Sequence, residues 1–274
     1  MRDLVHIVIP IYKQIPNATE HISFEQAMKI LNRYPFKIIA PRDLDLDYYV
    51  DIMKKYGVNY SICFFDPCYF VSLAGYNQLM LSKKFYKLFS DVDYVLIHQL
   101  DVYVFKDELE YWCNLDYDYV GAPWPPELSE PYSTNLNEWR VGNGGFSLRK
   151  VESILRILND PFPVKSFAHS WREERQPRTF WGKILKVGVC LLRTLGYHNS
   201  VGYYRKYFPA YEDMFFTLCF EGTRLSLKKP DVLMASRFSI ELGREILQKD
   251  RTDLPFGIHA WERRDPEYWR QFMS

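Results

Sequence analysis

Tyr94-Val95-Leu96-Ile97-His98-Gln99-Leu100-Asp101-Val102-Tyr103-Val104-Phe105 is the stretch on which the reading of this chain turns. Tyr94 to His98 reads as a strand buried on both faces, because an apolar run without polar alternation leaves no face for water. It delivers Asp101 just past its end, with a second apolar stretch behind. Open α/β sheets bind ligands beyond the carboxyl ends of their strands, so a carboxylate there is placed to meet one. A turn or a helix cap accounts for a lone aspartate equally well, and the flanking chain has to decide.

Outward from this run, strand and helix signals alternate. Val5-His6-Ile7-Val8-Ile9-Pro10 is a β-branched run closed by proline, a first buried strand. Ser23-Phe24-Glu25-Gln26 carries capping-box spacing and predicts a helix start, with Phe24, Ala27, Met28, Leu31 and Tyr34 on its apolar side and Pro35 as its stop. Phe36 to Ala40 reads as a second strand. A second helix, with Leu46, Tyr49, Val50, Met53 and Tyr56 on one side, ends at Gly57 as a left-handed cap. Further helices are expected over Gly75–Phe89, Val151–Leu158 and Tyr211–Phe220, and strands over Tyr117–Val120 and Ser147–Arg149. Gly121-Ala122-Pro123-Trp124-Pro125-Pro126 is expected as loop, since its prolines have no N–H to pair. The alternation predicts an α/β fold, a mostly parallel central sheet with helices on both faces.

Composition narrows the function. A length of 274 residues with 47% hydrophobic and 25% charged residues suits a single globular domain over 1–274 and argues against disorder. A net charge of +1 gives no global field toward nucleic acid. The 17% aromatic content supplies either a thick core or stacking platforms for sugars and bases. Met1-Arg2-Asp3 runs straight into the first strand, which reads as no signal peptide, and no apolar run reaches the roughly 18 residues of a spanning helix. Five cysteines with no Cys-x-x-Cys argue against zinc and disulfide frameworks and favour a reducing, cytoplasmic setting. Charge is uneven, however. Residues 165–206 hold nine Lys/Arg and two Glu, +7, so the remainder sums to −6. This basic insertion mixes apolar and basic residues over Ile184–Arg193, and three readings stay open: a solvated insertion, a membrane-surface helix, or a lid over a phosphate-bearing ligand.

Three more features bear on Asp101. Val141-Gly142-Asn143-Gly144-Gly145-Phe146-Ser147-Leu148-Arg149 permits positive φ and close backbone approach, in a ligand loop or a plain turn. Glu212-Asp213 opens a predicted helix, where acids also serve the dipole. His259 lies within Pro255-Phe256-Gly257-Ile258-His259-Ala260-Trp261, a setting common to core histidines.

In this order the pieces resemble the GT-A glycosyltransferases, and most closely the bacterial and fungal glycosyltransferase-like family DUF5672, over roughly Val5 to Trp261. The resemblance implies a Rossmann-like GT-A fold holding a nucleotide near Pro10, Ile11, Tyr12 and Asp43, with Asn77, Asn143, Gly144 and Gly145 also toward substrate. Gln99-Leu100-Asp101 falls on the Asp-x-Asp motif, with Gln99 in place of the first Asp; a neutral amide can bind a ribose hydroxyl but removes one anionic ligand. Asp101 and His259 would hold Mn²⁺ or Mg²⁺. Asp213, with Glu212 beside it, would act on the acceptor hydroxyl, and Trp124 would be a platform for the acceptor sugar. The implied activity is a hexosyltransferase-like, inverting transfer from a nucleotide-diphosphate sugar, UDP-sugar favoured, to a hydroxyl of a glycan or lipid-linked acceptor in bacterial surface polysaccharide synthesis. It would take place in the cytoplasm, with peripheral contact at the inner membrane face through 165–206 and no nucleic-acid partner. The alternatives are a catalytically silent sugar-nucleotide binder and a membrane-surface interaction protein. A dinucleotide-dependent oxidoreductase is disfavoured, because no Gly-x-Gly-x-x-Gly follows the first strand.

Overall fold

The computed structural model describes residues 3–129, 138–173, 176–177, 179–249 and 253–273; Met1 and Arg2 of the N-terminal reading, and Glu174, Arg175 and Arg178 of the basic insertion, lie outside them. The strands are β1 Asp3–Pro10, β2 Phe36–Pro41, β3 Tyr60–Phe65, β4 Val92–His98, β5 Val102–Val104, β6 Tyr119–Gly121, β7 Pro123–Trp124, β8 Arg140–Val141, β9 Phe146–Lys150, β10 Ser239–Ile240 and β11 Gly257–His259. Six form the central sheet in the order β3-β2-β1-β4-β9-β6. β3, β2, β1 and β4 run parallel, and β9 runs antiparallel between β4 and β6.

The sheet is buried on both faces, which is why its strands lack polar alternation. In β4, Tyr94 and Leu96 join one core with Ile7, Ile9 and the helix Ala18–Ile30. Val95 and Ile97 face the other, with Phe85, Phe89 and the helices Val151–Asn159 and Glu212–Thr217. At roughly 1.5–3 kcal/mol for each fully buried large apolar side chain, this two-faced burial is the main stabilising term.

Several boundaries differ from the sequence reading. The first helix begins at Ala18, capped by Asn17 and Glu20 in a true capping box; Ser23 lies buried within it and accepts from Trp261 Nε1 at 2.9 Å. The helix expected over Gly75–Phe89 is two, Leu73–Met80 and Lys83–Lys87, because Ser82 accepts from the Phe85 N–H and starts a new turn. β3 has no counterpart in the sequence reading: it is an edge strand, partly exposed along most of its length, with Phe64 facing outward. Pro123–Trp124, expected as loop, pairs with β8, since a two-residue edge strand tolerates proline.

The strand order decides where a ligand can go. β2 and β3 lie to one side of β1, and β4 to the other, so the connections part at β1 and β4 and leave a crevice beyond their carboxyl ends.

Candidate active site

That crevice is a cleft of about 420 Å³. Pro10 and Tyr12 border it after β1, Gln99, Leu100 and Asp101 after β4, and Tyr69 to Leu73 with Tyr76 form its third side. The small sheet β10-β11-β5 furnishes the rest by register. His259 pairs with Val102 across β11 and β5, which sets it beside Asp101; Ile240 pairs with Ile258, which sets Glu241 beside His259. His259 Nε2 is 3.3 Å from Asp101 Oδ1 and 3.4 Å from Gln99 Oε1, and its Nδ1 is 3.4 Å from Glu241 Oε2. Arg263 donates to Asp101 Oδ2 at 2.5 Å. Burial opposes charge on Asp101, but His259 and Arg263 outweigh it and hold its carboxyl at about 2. Burial likewise disfavours the imidazolium, yet the carboxylates on both sides lift His259 to about 10. Tyr76 Oη, buried in the cleft wall near Gln99, has no hydrogen-bond partner of normal geometry among the described residues, which leaves its hydroxyl available to a ligand.

The Gly142–Gly145 loop separates this cluster from a second acidic pair. Asn143 adopts φ 71° and accepts from the Gly145 and Phe146 N–H groups at 3.0 and 3.1 Å, closing the turn, while its Nδ2 reaches Glu241 and His259. A Cβ on Gly145 would stand 2.0 Å from His259 Nε2, and one on Gly144 would stand 2.5 Å from Glu212 Oε1 and 3.3 Å from Asp213 Oδ2. Both glycines are therefore required by side chains packed against the backbone. Beneath the loop, buried Arg149 pairs bidentately with Glu212 at 2.8 and 2.9 Å and also donates to Tyr86, Ser147 and the Gly144 carbonyl. Asp213, next in the helix, has no such partner; its Oδ1 accepts only its neighbour's N–H at Met214 among the bonds of the described residues. Burial, then the charge of Glu212, pushes its carboxyl up to about 7.

The model of the family "Protein of unknown function (DUF5672)" matches residues 59–259, nearly three quarters of the chain. The chain belongs to DUF5672. Among solved structures, the DUF5672 chain is similar to the galactosyltransferase LgtC in complex with donor and acceptor sugar analogues, 14% identical over 97% of this chain and 99% of LgtC, with a TM-score of 0.51. It is also similar to the apo-form glycosyltransferase GlyE of Streptococcus pneumoniae TIGR4, 10% identical over 98% of this chain and 60% of GlyE, with a TM-score of 0.52. No curated protein matches the sequence. Likeness at such identities establishes the fold alone, the α/β fold of the GT-A glycosyltransferases, as the resemblance implies.

Within the DUF5672 chain the residues singled out from sequence divide into groups. Pro10, Tyr12, Gln99 and Asp101 line the cleft, and His259 touches Asp101 and Gln99. Asn143, Gly144 and Gly145 shape the loop beside them. Asn77 accepts from the Glu212 N–H at 2.9 Å and so anchors the helix that carries Asp213. Three expectations need correcting. Glu212 has both carboxylate oxygens taken by Arg149 and is buried, so it holds the loop and is not free to act as an acid or base. Trp124 is 4% exposed, packed on Met214 and Leu218 and capped by Gly142, which leaves no ring face for a sugar. Asp43 lies exposed in the turn after β2 and is not among the residues lining the cleft. Sequence reasoning missed Tyr76, Glu241 and Arg263. Only Arg263 left a signal, following the Pro255–Trp261 run within Glu262-Arg263-Arg264.

Proposed function

We propose that this DUF5672 protein is a nucleotide-sugar-dependent glycosyltransferase, one domain over 1–274 with 165–206 as a basic appendage. The observation that carries the reading is the convergence of His259 on Asp101 and Gln99, which line the cleft at the β1/β4 switch point. A nucleotide diphosphate needs a concave, partly apolar site with convergent polar groups, and that cleft supplies Tyr12 and Phe70 as apolar walls with Tyr76 as a donor. UDP-hexoses are the donors favoured, and the acceptor is a hydroxyl of a glycan or a lipid-linked glycan in surface polysaccharide synthesis.

A divalent cation is part of the reading. Among the described residues, no group of three or more His, Cys, Asp or Glu is gathered as a metal site. The donor set that does converge is one carboxylate, one amide carbonyl and one imidazole, which suits Mn²⁺ or Mg²⁺ completed by water and phosphate oxygens. Asp101 and His259 would hold the ion, His259 giving up its Nε2 proton on binding, with Gln99 as a neutral third ligand; when bound, it would neutralise charge on the diphosphate. Arg263, largely exposed and resting on Asp101, is a cation already at the cleft mouth.

Asp213 acts as the base. Adjacent glycines of one loop pack against Asp213 and against His259, so the Asp213 carboxylate lies within about 12 Å of the His259 ring. That span fits one sugar ring. The acceptor oxygen attacks the anomeric carbon, the bond to the donor phosphate breaks, and Asp213 takes the hydroxyl proton; attack opposite the leaving group inverts the anomeric centre. A carboxyl near 7 is matched to that proton transfer at neutral pH. The test is turnover of a nucleotide-sugar panel with Mn²⁺ or chelator, followed by the anomeric configuration of the product. Asp101→Ala should abolish turnover in a chain that still melts cooperatively; near-normal turnover would end the assignment. A product of retained configuration would remove Asp213 from the role of base.

A further inference from the structure

Between Val164 and Val201 the chain leaves the main body and returns, and its two stems are clamped together. The Val164 N–H donates to the Asn199 carbonyl at 2.8 Å. The fully buried Asn199 side chain accepts from the Lys165 N–H at 2.9 Å and donates to the carbonyls of Lys165 and Arg193, each at 2.8 Å. The segment projecting from this clamp carries the helices Phe167–Glu173 and Phe180–Thr194, the second capped by Thr179.

The second helix is turned inside out. Its buried residues are Lys186 and Cys190, with the Lys186 ammonium 4.1 Å over the Trp171 ring of the first helix. Its outward residues are apolar: Phe180, Trp181, Leu185, Leu191 and Leu192, and Leu195 just past its end, are each at least half exposed, up to 83% for Leu195. At 3.6 residues per turn, these and the Ile and Val between them fill an arc of roughly 200° that contains no charged residue. Ordinary surface helices bury that side and expose the charged one. A contiguous apolar patch left in water marks an interaction site.

Charge identifies the occupant. From Arg175 to Tyr211 the chain has seven Lys or Arg and no acidic residue. Lys183, Arg205 and Lys206 are exposed beside the apolar arc or on the helix that follows, Val201–Tyr207. The 15-residue helix rises about 22 Å, short of the roughly 30 Å hydrocarbon core, so it can lie in a membrane but not span one. Aromatic residues flank it, Phe180 and Trp181 at the start and Tyr197 just after its end, the residue types that settle at headgroup level. We propose that the outward arc of the Phe180–Thr194 helix is a docking face for an anionic lipid bilayer, seated in the interface with its axis in the membrane plane. This stands apart from the transferase reading, because it is tested by partitioning alone.

The experiment is co-sedimentation of the full chain with phosphatidylcholine vesicles and with vesicles containing a quarter phosphatidylglycerol, following Trp emission in parallel. Expected is binding to the anionic vesicles at least about tenfold tighter than to the neutral ones, weakened by salt, with a blue shift as Trp181 enters the interface. Leu185→Glu with Leu192→Glu should abolish partitioning while leaving the melting temperature and nucleotide-sugar turnover unchanged, since both side chains face water. Lys183→Glu with Arg205→Glu should remove the preference for anionic lipid and keep the fold. Failure of the wild-type chain to bind anionic vesicles overturns the proposal. So does a concentration-dependent dimer in solution that Leu185→Glu with Leu192→Glu dissociates, which would make the face a contact between copies of this chain.

Discussion

At the residue scale, the site rests on how two aspartates are environed. Asp101 is held ionised by His259 and Arg263, a charge available at every physiological pH, whereas Asp213 is lifted to about 7 by burial and by Glu212. If Asp213 is the base, kcat/KM should climb as pH passes through about 7 and level above it, and Asp213→Asn should lose about two decades or more of rate together with that limb. Stability must move the opposite way. The folded carboxyl titrates at about 7 against an ordinary 3.8, so between those values the folded state holds the proton more tightly and stability falls as pH rises. Asp213→Asn should therefore be more stable than wild type at pH 8, on the order of 4 kcal/mol, with the difference nearly gone at pH 4. Denaturant melts of both at the two pH values check the sign. At Gln99, replacement by Asp adds an anionic oxygen beside Asp101, so Mn²⁺ should bind more tightly and donor binding should depend more on it. If donor binding instead weakens equally with cation and with chelator, the diphosphate is neutralised by side chains alone.

Elements are tied together by Arg149. It sits on β9, fully buried, and grips Glu212 at the head of the Glu212–Thr217 helix, so one ion pair fixes that helix, the glycine loop above it and the placement of Asp213. Removing one partner strands the other charge out of water, which costs about 3–5 kcal/mol, whereas replacing both with apolar residues of similar size avoids that penalty. Arg149→Met alone should thus lose several kcal/mol in urea melts, and Arg149→Met with Glu212→Leu should recover most of it without recovering activity. Equal destabilisation of the single and double variants would show that the two residues do not act as a pair.

Over the whole molecule, the sheet order joins distant segments into one cleft: the turn after β1, the Tyr69–Tyr76 wall and the Gln99–Asp101 turn. A nucleotide sugar that bridges them should protect all three together in amide exchange. At about 100 times its Kd it should add about 2.7 kcal/mol, a melting shift of roughly 5–10 °C for a chain of this size. Protection confined to residues 165–206 would mean that the basic appendage, not the cleft, takes the ligand.

Read alone, the residues reveal the two central strands, β1 and β4, and the edge at which a ligand can bind, but not β3 or the strand order. The apolar runs at Val5–Pro10 and Tyr94–His98 have one stable home, a sheet buried on both faces, and a carboxylate just past such a strand is a local feature that spacing reveals. Tertiary structure alone decided the partners. His259 meets Asp101 and Gln99 because β11 pairs with β5 in one register, contacts made across some 160 positions of chain, and Glu241 arrives through β10 to meet Asn143 from 98 positions away, with no local pattern to announce them. The roles within Glu212-Asp213 were equally illegible, since two neighbouring carboxylates look alike in sequence. Only the buried guanidinium of Arg149, reaching one and not the other, separates the residue that holds the loop from the one left free to take a proton.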